Sequence, residues 1–88
     1  MLHLITYDIV SKNTDYDYII ETIRKSFPNH LHAQLSIWFV SSSKSNAEIF
    51  DTISHAFSSI DRLFVCGVNG WKGKNLYESN FDKLKGMD

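Results

Sequence analysis

The stretch Leu2-His3-Leu4-Ile5-Thr6-Tyr7-Asp8-Ile9 decides the fold, because it predicts a buried β-strand that ends in a carboxylate. Because this strand begins at the second residue, we expect no signal peptide before it. Burying a lone charge is costly, so an acidic side chain at the end of an apolar run must reach solvent or a partner. Asp8 is therefore the first candidate for chemistry. The structural alternative is that Asp8 caps the following turn through a side-chain hydrogen bond.

The composition predicts one small domain that covers residues 1–88. A chain of 88 residues is near the lower limit for a self-sufficient core, but 43% of the residues are hydrophobic and 14% are aromatic. Small domains often gain burial by association, so this aromatic content favours a homodimer. The formal net charge of −1 argues against a dedicated nucleic-acid binder, which usually carries a basic excess.

The single cysteine and the absence of a long apolar run predict a reducing, cytoplasmic location with no membrane span. Cys66 lies in an apolar run and is interpreted as a small buried hydrophobe. The histidines show no third ligand at metal spacing, so we interpret them as structural or surface residues. A pH-sensitive interface would require His3 and His32 to lie on adjacent strands. The four histidines are His3, His30, His32 and His55.

Two amphipathic helices follow from the spacing of apolar residues. Residues 14–27 predict the first helix, with Thr14 as its N-cap and Asp17 completing a capping box. Residues 45–48, Ser-Asn-Ala-Glu, form a second capping box that opens the next helix. Its buried stripe is predicted to contain Ile49, Ile53, Ala56, Phe57 and Ile60.

The remaining apolar runs predict strands. Residues 31–41 form either one long strand or two strands that split near His32, and residues 63–68 form another. In the middle run, alternation places Ala33, Leu35, Ile37 and Phe39 on the core face. Asn69-Gly70 predicts a hairpin that leads to a short strand at residues 76–77. A last helical turn is predicted to begin at Ser79 and to include Phe81 and Leu84.

These elements predict an α+β fold, with helices covering one face of the sheet. The pattern fits a ferredoxin-like sandwich with an antiparallel sheet and two helices on one face. A compact βαβαβ layer that ends in an antiparallel hairpin is the alternative. The uncovered face is predicted to carry Tyr7, Trp38 and Trp71, and an open aromatic sheet face is a natural dimer interface.

Several short motifs, in order, resemble a known group of proteins. They are the Tyr7-Asp8-Ile9 strand, Ser36-Ile37-Trp38, the helix start at residues 44–49, the strand at residues 61–65 and the Asn69-Gly70-Trp71 turn. In this order and spacing they resemble the small bacterial and phage proteins labelled SinR-like. They also resemble the related ferredoxin-fold subunit of the CRISPR adaptation complex. The resemblance covers residues 2 to about 77.

The resemblance implies a ferredoxin-like homodimer whose sheets pack or pair between subunits. In the adaptation subunit a carboxylate at the end of the first strand can bind a divalent metal at the dimer axis, and Asp8 is the matching residue. Two Asp8 side chains across a two-fold axis would suit Mg²⁺, which could activate water for phosphodiester hydrolysis. The resemblance also implies a setting in prokaryotic or phage defence. In that setting, an inhibitor that docks on a host nuclease complex fits a small, near-neutral, aromatic-rich dimer.

A basic cluster near the C-terminus suggests a third function. Lysines interleaved with Trp71 and Tyr77 predict an edge that follows phosphates while aromatic rings stack on bases. The structural alternative is a solvated segment, because Glu78, Asp82 and Asp88 dilute the charge. The lysines of the cluster are Lys72, Lys74, Lys83 and Lys85.

Overall fold

The strand that opens the sequence lies inside the sheet and pairs with a strand on each side. A computed structural model describes residues 1–77, and its sheet has the strand order β2-β3-β1-β4. All three pairings are antiparallel, so the predicted ferredoxin-like sandwich is confirmed. The elements in chain order are β1 (Leu2–Asp8), α1 (Tyr16–Ser26), β2 (His30–Gln34), β3 (Ile37–Ser41), α2 (Asn46–Ile53), a 3₁₀ turn (Ser54–Ala56) and β4 (Arg62–Val68).

Each helix begins at a side chain that satisfies its first backbone N–H groups. The capping box predicted for α2 is confirmed, because Ser45 and Glu48 exchange side-chain and backbone hydrogen bonds. The predicted cap of α1 is wrong by one residue. Asp15 accepts hydrogen bonds from the N–H groups of Asp17 and Tyr18. The hydroxyl of Thr14 instead donates a hydrogen bond outside the helix, to Asp61.

The run at residues 31–41 splits into two strands, and the split reverses the predicted faces. The chain turns at Leu35 and Ser36, and the register shifts between His32 and Gln34. Leu35, predicted in the core, is 61% exposed at this turn. Trp38, predicted on the uncovered face, is fully buried beneath the helices. The alternation of side chains between the two faces of the sheet restarts after a turn. A single alternation applied to residues 31–41 therefore assigned the side chains of β3 to the wrong faces.

The main core lies between the sheet and the two helices. Ile5 and Tyr7 of β1 point into it, and alternation therefore sends Thr6 and Asp8 to the opposite face. Ile60, predicted in the stripe of α2, is 59% exposed beyond the helix. The buried members of this core are Ile5, Tyr7, Ile19, Ile23, Phe27, Trp38, Val40, Ile49, Ile53 and Ala56.

The face of the sheet opposite the helices is partly covered by residues 71–77, which we call the strap. Gly70, with φ of 91°, turns the chain after β4, and the Trp71 ring then stacks on Phe39. Leu76 packs against the buried pair Leu2 and Leu31. The strap forms no strand, so the predicted strand at residues 76–77 is wrong. The Tyr77 N–H donates to the carbonyl of Ala33 on the edge strand β2 at 2.7 Å.

The helical turn predicted from Ser79, with Phe81 and Leu84, lies outside the described residues. Among residues 1–77 no helix combines the length and the apolar character that crossing a bilayer requires.

Candidate functional site

Asp8 lies at the end of β1 on the face opposite the helices, directly across from Arg62 of β4. Its side chain is exposed, and within residues 1–77 its carboxylate makes no hydrogen bond or ion pair. Thr6, Asp8, Arg62 and Phe64 line a shallow pocket of about 340 Å³. We call these four residues the Asp8 patch. The patch therefore exposes three neighbouring groups to solvent: the Asp8 carboxylate, the Arg62 guanidinium and the Phe64 ring.

Phe64 is the apolar centre of the Asp8 patch, and 60% of its surface is exposed. It lies on β4, which pairs with β1 along its whole length and forms one edge of the sheet. Residues 63–68 of this edge strand contain no charged residue and no proline. Proteins usually protect an edge strand with charge, proline, a bulge or a cover. Within residues 1–77 nothing pairs with the outer side of β4.

The turn after β1 is held by Asp61 and not by Asp8, so the predicted capping role of Asp8 is wrong. The Asp61 carboxylate accepts backbone N–H groups from Val10 at 2.7 Å and from Ser11 and Ser58 at 2.9 Å. It also accepts the hydroxyl of Thr14. Desolvation raises the pKa of this carboxyl, but the four donors outweigh it and hold the pKa well below its usual range.

Sequence reasoning missed Asp61 because three of its four donors lie 47 to 51 residues away in the chain. The sequence signal was present in a weak form. A polar run at residues 11–15 needs acceptors for its N–H groups, and an acidic residue immediately precedes the strand that pairs with β1.

Tyr7 and Trp38, predicted at the dimer interface, are buried in the main core with 3% and 0% exposure. The indole N–H of Trp38 donates to the Tyr7 hydroxyl at 3.1 Å. That hydroxyl makes a long contact of 3.4 Å to the carbonyl of Leu35, which also accepts the Tyr16 hydroxyl at 2.8 Å. Burial raises the pKa of Tyr7 far above its usual value, so the phenol stays protonated. Neither ring offers surface to a second subunit.

Both histidines on β2 are engaged in hydrogen bonds and ring contacts with other residues of the chain. His30 Nδ1 lies 2.6 Å from the carbonyl of Phe27, so this nitrogen donates and Nε2 is left to accept from Arg24 at 3.1 Å. His32 stacks on Trp38 at 3.9 Å and donates through Nε2 to the carbonyl of Leu35. Within residues 1–77 no group of three His, Cys, Asp or Glu side chains is arranged to hold a metal ion.

The other two histidines do not join this pair. His3 lies on β1, which is separated from β2 by β3, so the adjacency with His32 that a pH-sensitive interface required is not found. His3 is 1% exposed and bonds to Asn46 through Nδ1 at 2.6 Å. His55 contacts the ring of Tyr18 on the outer side of the helices.

The described part of the basic cluster lies on the strap. Lys72 and Lys74 are exposed and, with Trp71, form one wall of a groove of about 320 Å³. The floor of this strap groove is the sheet, where Leu4, Ile37 and Phe39 lie. Lys83 and Lys85, the other predicted members of the cluster, lie outside the described residues.

Comparison with known proteins adds no relative. The chain matches no protein-family model, and no curated protein shows significant similarity to it.

Proposed function

We propose that this protein is a small homodimeric interaction module, and that the Asp8 patch is the surface through which two copies associate. The observation that carries the proposal is the exposed Phe64, flanked by the oppositely charged pair Asp8 and Arg62. The motif resemblance described above supports a setting in prokaryotic or phage defence. There the dimer would act by docking on a nuclease complex.

The Asp8 patch has the composition that a two-fold interface needs. In such an interface the same patch meets itself, so each residue contacts its counterpart's neighbour and the contact occurs twice. Phe64 supplies the apolar centre, because aromatic residues dominate the buried core of interfaces. With Phe64 near the axis, Asp8 of each copy would meet Arg62 of the other. Both charges would then be paired without help from a third molecule.

The uncharged edge of β4 supports the same contact. Residues 63–68 combine strand-forming side chains with an unpaired edge, which invites pairing with other chains. A second copy seated on the Asp8 patch would lie beside this edge and shield it. A dimer would therefore remove both exposed features of β4 at once.

Charge reversal tests the proposal, because it separates contact between copies from contact within one chain. Asp8→Arg and Arg62→Asp each place like charges at the contact, so we expect each variant alone to be monomeric near 10.2 kDa by light scattering. When the two variants are mixed, the all-basic patch meets the all-acidic patch, so we expect a mixed dimer. Light scattering of the mixture and of a tagged pair measures this.

The control uses two exposed charges away from the patch. Lys44→Asp and Asp51→Lys should leave the mass of the dimer unchanged, because Lys44 follows the residue that pairs with Leu2, at the end of β1 far from Asp8. A wild-type chain that is monomeric at micromolar concentration overturns the proposal. The proposal also fails if the mixed variants remain monomers while circular dichroism shows both to be folded.

A Mg²⁺-dependent endonuclease is the second candidate, favoured by the exposed Asp8 carboxylate that has no partner within residues 1–77. Here two Asp8 side chains, rather than Asp8 and Arg62, would face each other across the axis and share the metal. Labelled RNA and DNA are incubated with Mg²⁺ or a chelator. Metal-dependent cleavage that Asp8→Asn abolishes, with the dimer intact, would replace the first proposal by this one.

A further inference from the structure

We infer that the strap groove binds single-stranded nucleic acid, with bases against its aromatic residues and phosphates at Lys72 and Lys74. The groove lies on the same face of the sheet as the Asp8 patch but is built from different residues. The inference therefore stands independently of the homodimer. The strap groove also differs from the basic edge predicted from the sequence, because it is a concave site that the strap and the sheet enclose.

The size and lining of the strap groove suit a planar base. Its volume of about 320 Å³ is at the lower end of the range for small-molecule sites. Phe39 and Ile37 provide an apolar floor on β3, and the Trp71 ring lies against Phe39 with 5.7 Å between ring centroids. Trp71 is 38% exposed at the mouth. Aromatic rings at such a position stack on any base, which makes the binding tolerant of sequence.

The charge of the strap groove selects an anion. Lys72 and Lys74 are the charged residues of its lining, and the lining contains no carboxylate. The chain as a whole has a net charge of −1, so this is a local concentration of positive charge on a near-neutral protein. Gln34 adds an exposed amide that can donate and accept hydrogen bonds at a base edge. An apolar slot beside two cations fits a base joined to phosphate.

A strand fits better than a free nucleotide because the strap carries two aromatic residues that are six positions apart, Trp71 and Tyr77. Tyr77 has 69% of its surface exposed. Tyr77 is anchored beside the groove through its N–H to Ala33, a residue of the lining, and through its ring to His32. Two separate aromatic surfaces can stack two bases, and the lysines between them in the chain can meet the intervening phosphates.

Fluorescence anisotropy with labelled twelve-nucleotide strands of mixed sequence tests the inference with the full chain. We expect single-stranded RNA or DNA to bind at 50 mM salt and the matching duplex to bind at least tenfold more weakly. Lys72→Ala/Lys74→Ala should remove two phosphate contacts and reduce the slope of log affinity against log salt by about 1.4. Trp71→Ala should weaken binding by about fivefold or more, as expected for the loss of one stacked base.

Matched controls separate the groove from general charge. Lys12→Ala/Lys44→Ala removes two exposed lysines elsewhere and should change affinity by less than twofold. Gln34→Glu places a carboxylate in the groove and should weaken binding, whereas Asn13→Asp on the loop after β1 should not. The inference is overturned if no strand binds, if the duplex binds as well as the single strand, or if both lysine pairs weaken binding equally. Adenosine monophosphate binding as tightly as the strand would also overturn it.

Discussion

Replacing Tyr7 by Phe tests whether the buried indole of Trp38 depends on one hydroxyl. The substitution keeps the ring and its packing, but it removes the oxygen that accepts the Trp38 N–H at 3.1 Å. Both side chains are at most 3% exposed, so water cannot replace the lost acceptor without opening the core. An unsatisfied buried donor costs about 1–3 kcal/mol in the free energy of unfolding. A domain of this size has about 4–13 kcal/mol in total.

The matched control is Tyr16→Phe, which removes a hydroxyl from the same local network. Tyr16 donates to the carbonyl of Leu35 at 2.8 Å, but the bond lies at the surface and that carbonyl keeps its bond from His32. Solvent can take the place of the lost donor, so we expect a cost of about 0.5–1 kcal/mol. Tyr7→Phe should therefore be the more damaging substitution by about 1 kcal/mol or more.

Urea unfolding at one fixed protein concentration measures both free energies, because association would couple stability to concentration. Thermal unfolding gives a second reading, in which a loss of 2 kcal/mol should lower Tm by about 8–16 °C. The oligomeric state should not change, whatever it is for the wild type, since Tyr7 lies in the core of a single chain. Equal losses for the two variants, or a smaller loss for Tyr7→Phe, would refute the role assigned to the hydroxyl.

Two further predictions concern the loop and the strap. Asp61→Asn should lower the free energy of unfolding at neutral pH and make that free energy fall less steeply in acid. A carboxyl whose pKa is depressed stabilises the fold above its ordinary pKa of 3.8 and loses that contribution as pH falls toward the folded value. Urea midpoints from pH 7 to pH 2 measure this, and identical profiles for variant and wild type would contradict it. Leu76→Ala should cost about 1–2 kcal/mol and speed proteolysis within residues 71–77, because it removes the packing of the strap on Leu2 and Leu31, whereas Leu35→Ala at an exposed turn should leave both unchanged.

Most of the helices and strands could be predicted from the sequence, because the signal for each of them is local. The apolar run of β1, the capping box at Ser45 and the strand at residues 63–68 were all visible at short range. The faces of β3 could not be predicted, because the turn at Leu35 and Ser36 carries no glycine, asparagine or proline to mark it. Without this turn, the alternation predicted Trp38 on the surface, whereas the structure places it in the core.

The candidate site could be predicted only in part. Asp8 was correctly singled out as a solvent-reaching carboxylate, but its neighbours Arg62 and Phe64 depend on the pairing of β1 with β4. The role of Asp61 was hidden for the same reason, since Asp61 precedes β4 while its donors Val10 and Ser11 follow β1, the other strand of that pairing. Trp71 and its lysines were recognised as a group, while the groove they form required the strap to fold back onto Phe39.

The pairing of β1 with β4 also sets the timing of folding. Each residue of β1 faces a partner in β4 that is synthesised about 60 positions later. Until the ribosome has released residues 62–68, β1 has a partner on one side only. Closing so long a loop costs entropy before its contacts repay it, so we expect the pairing of β1 with β4 to form more slowly than the helices. During that interval β1 is itself an exposed edge, and the nascent chain is most vulnerable to aggregation.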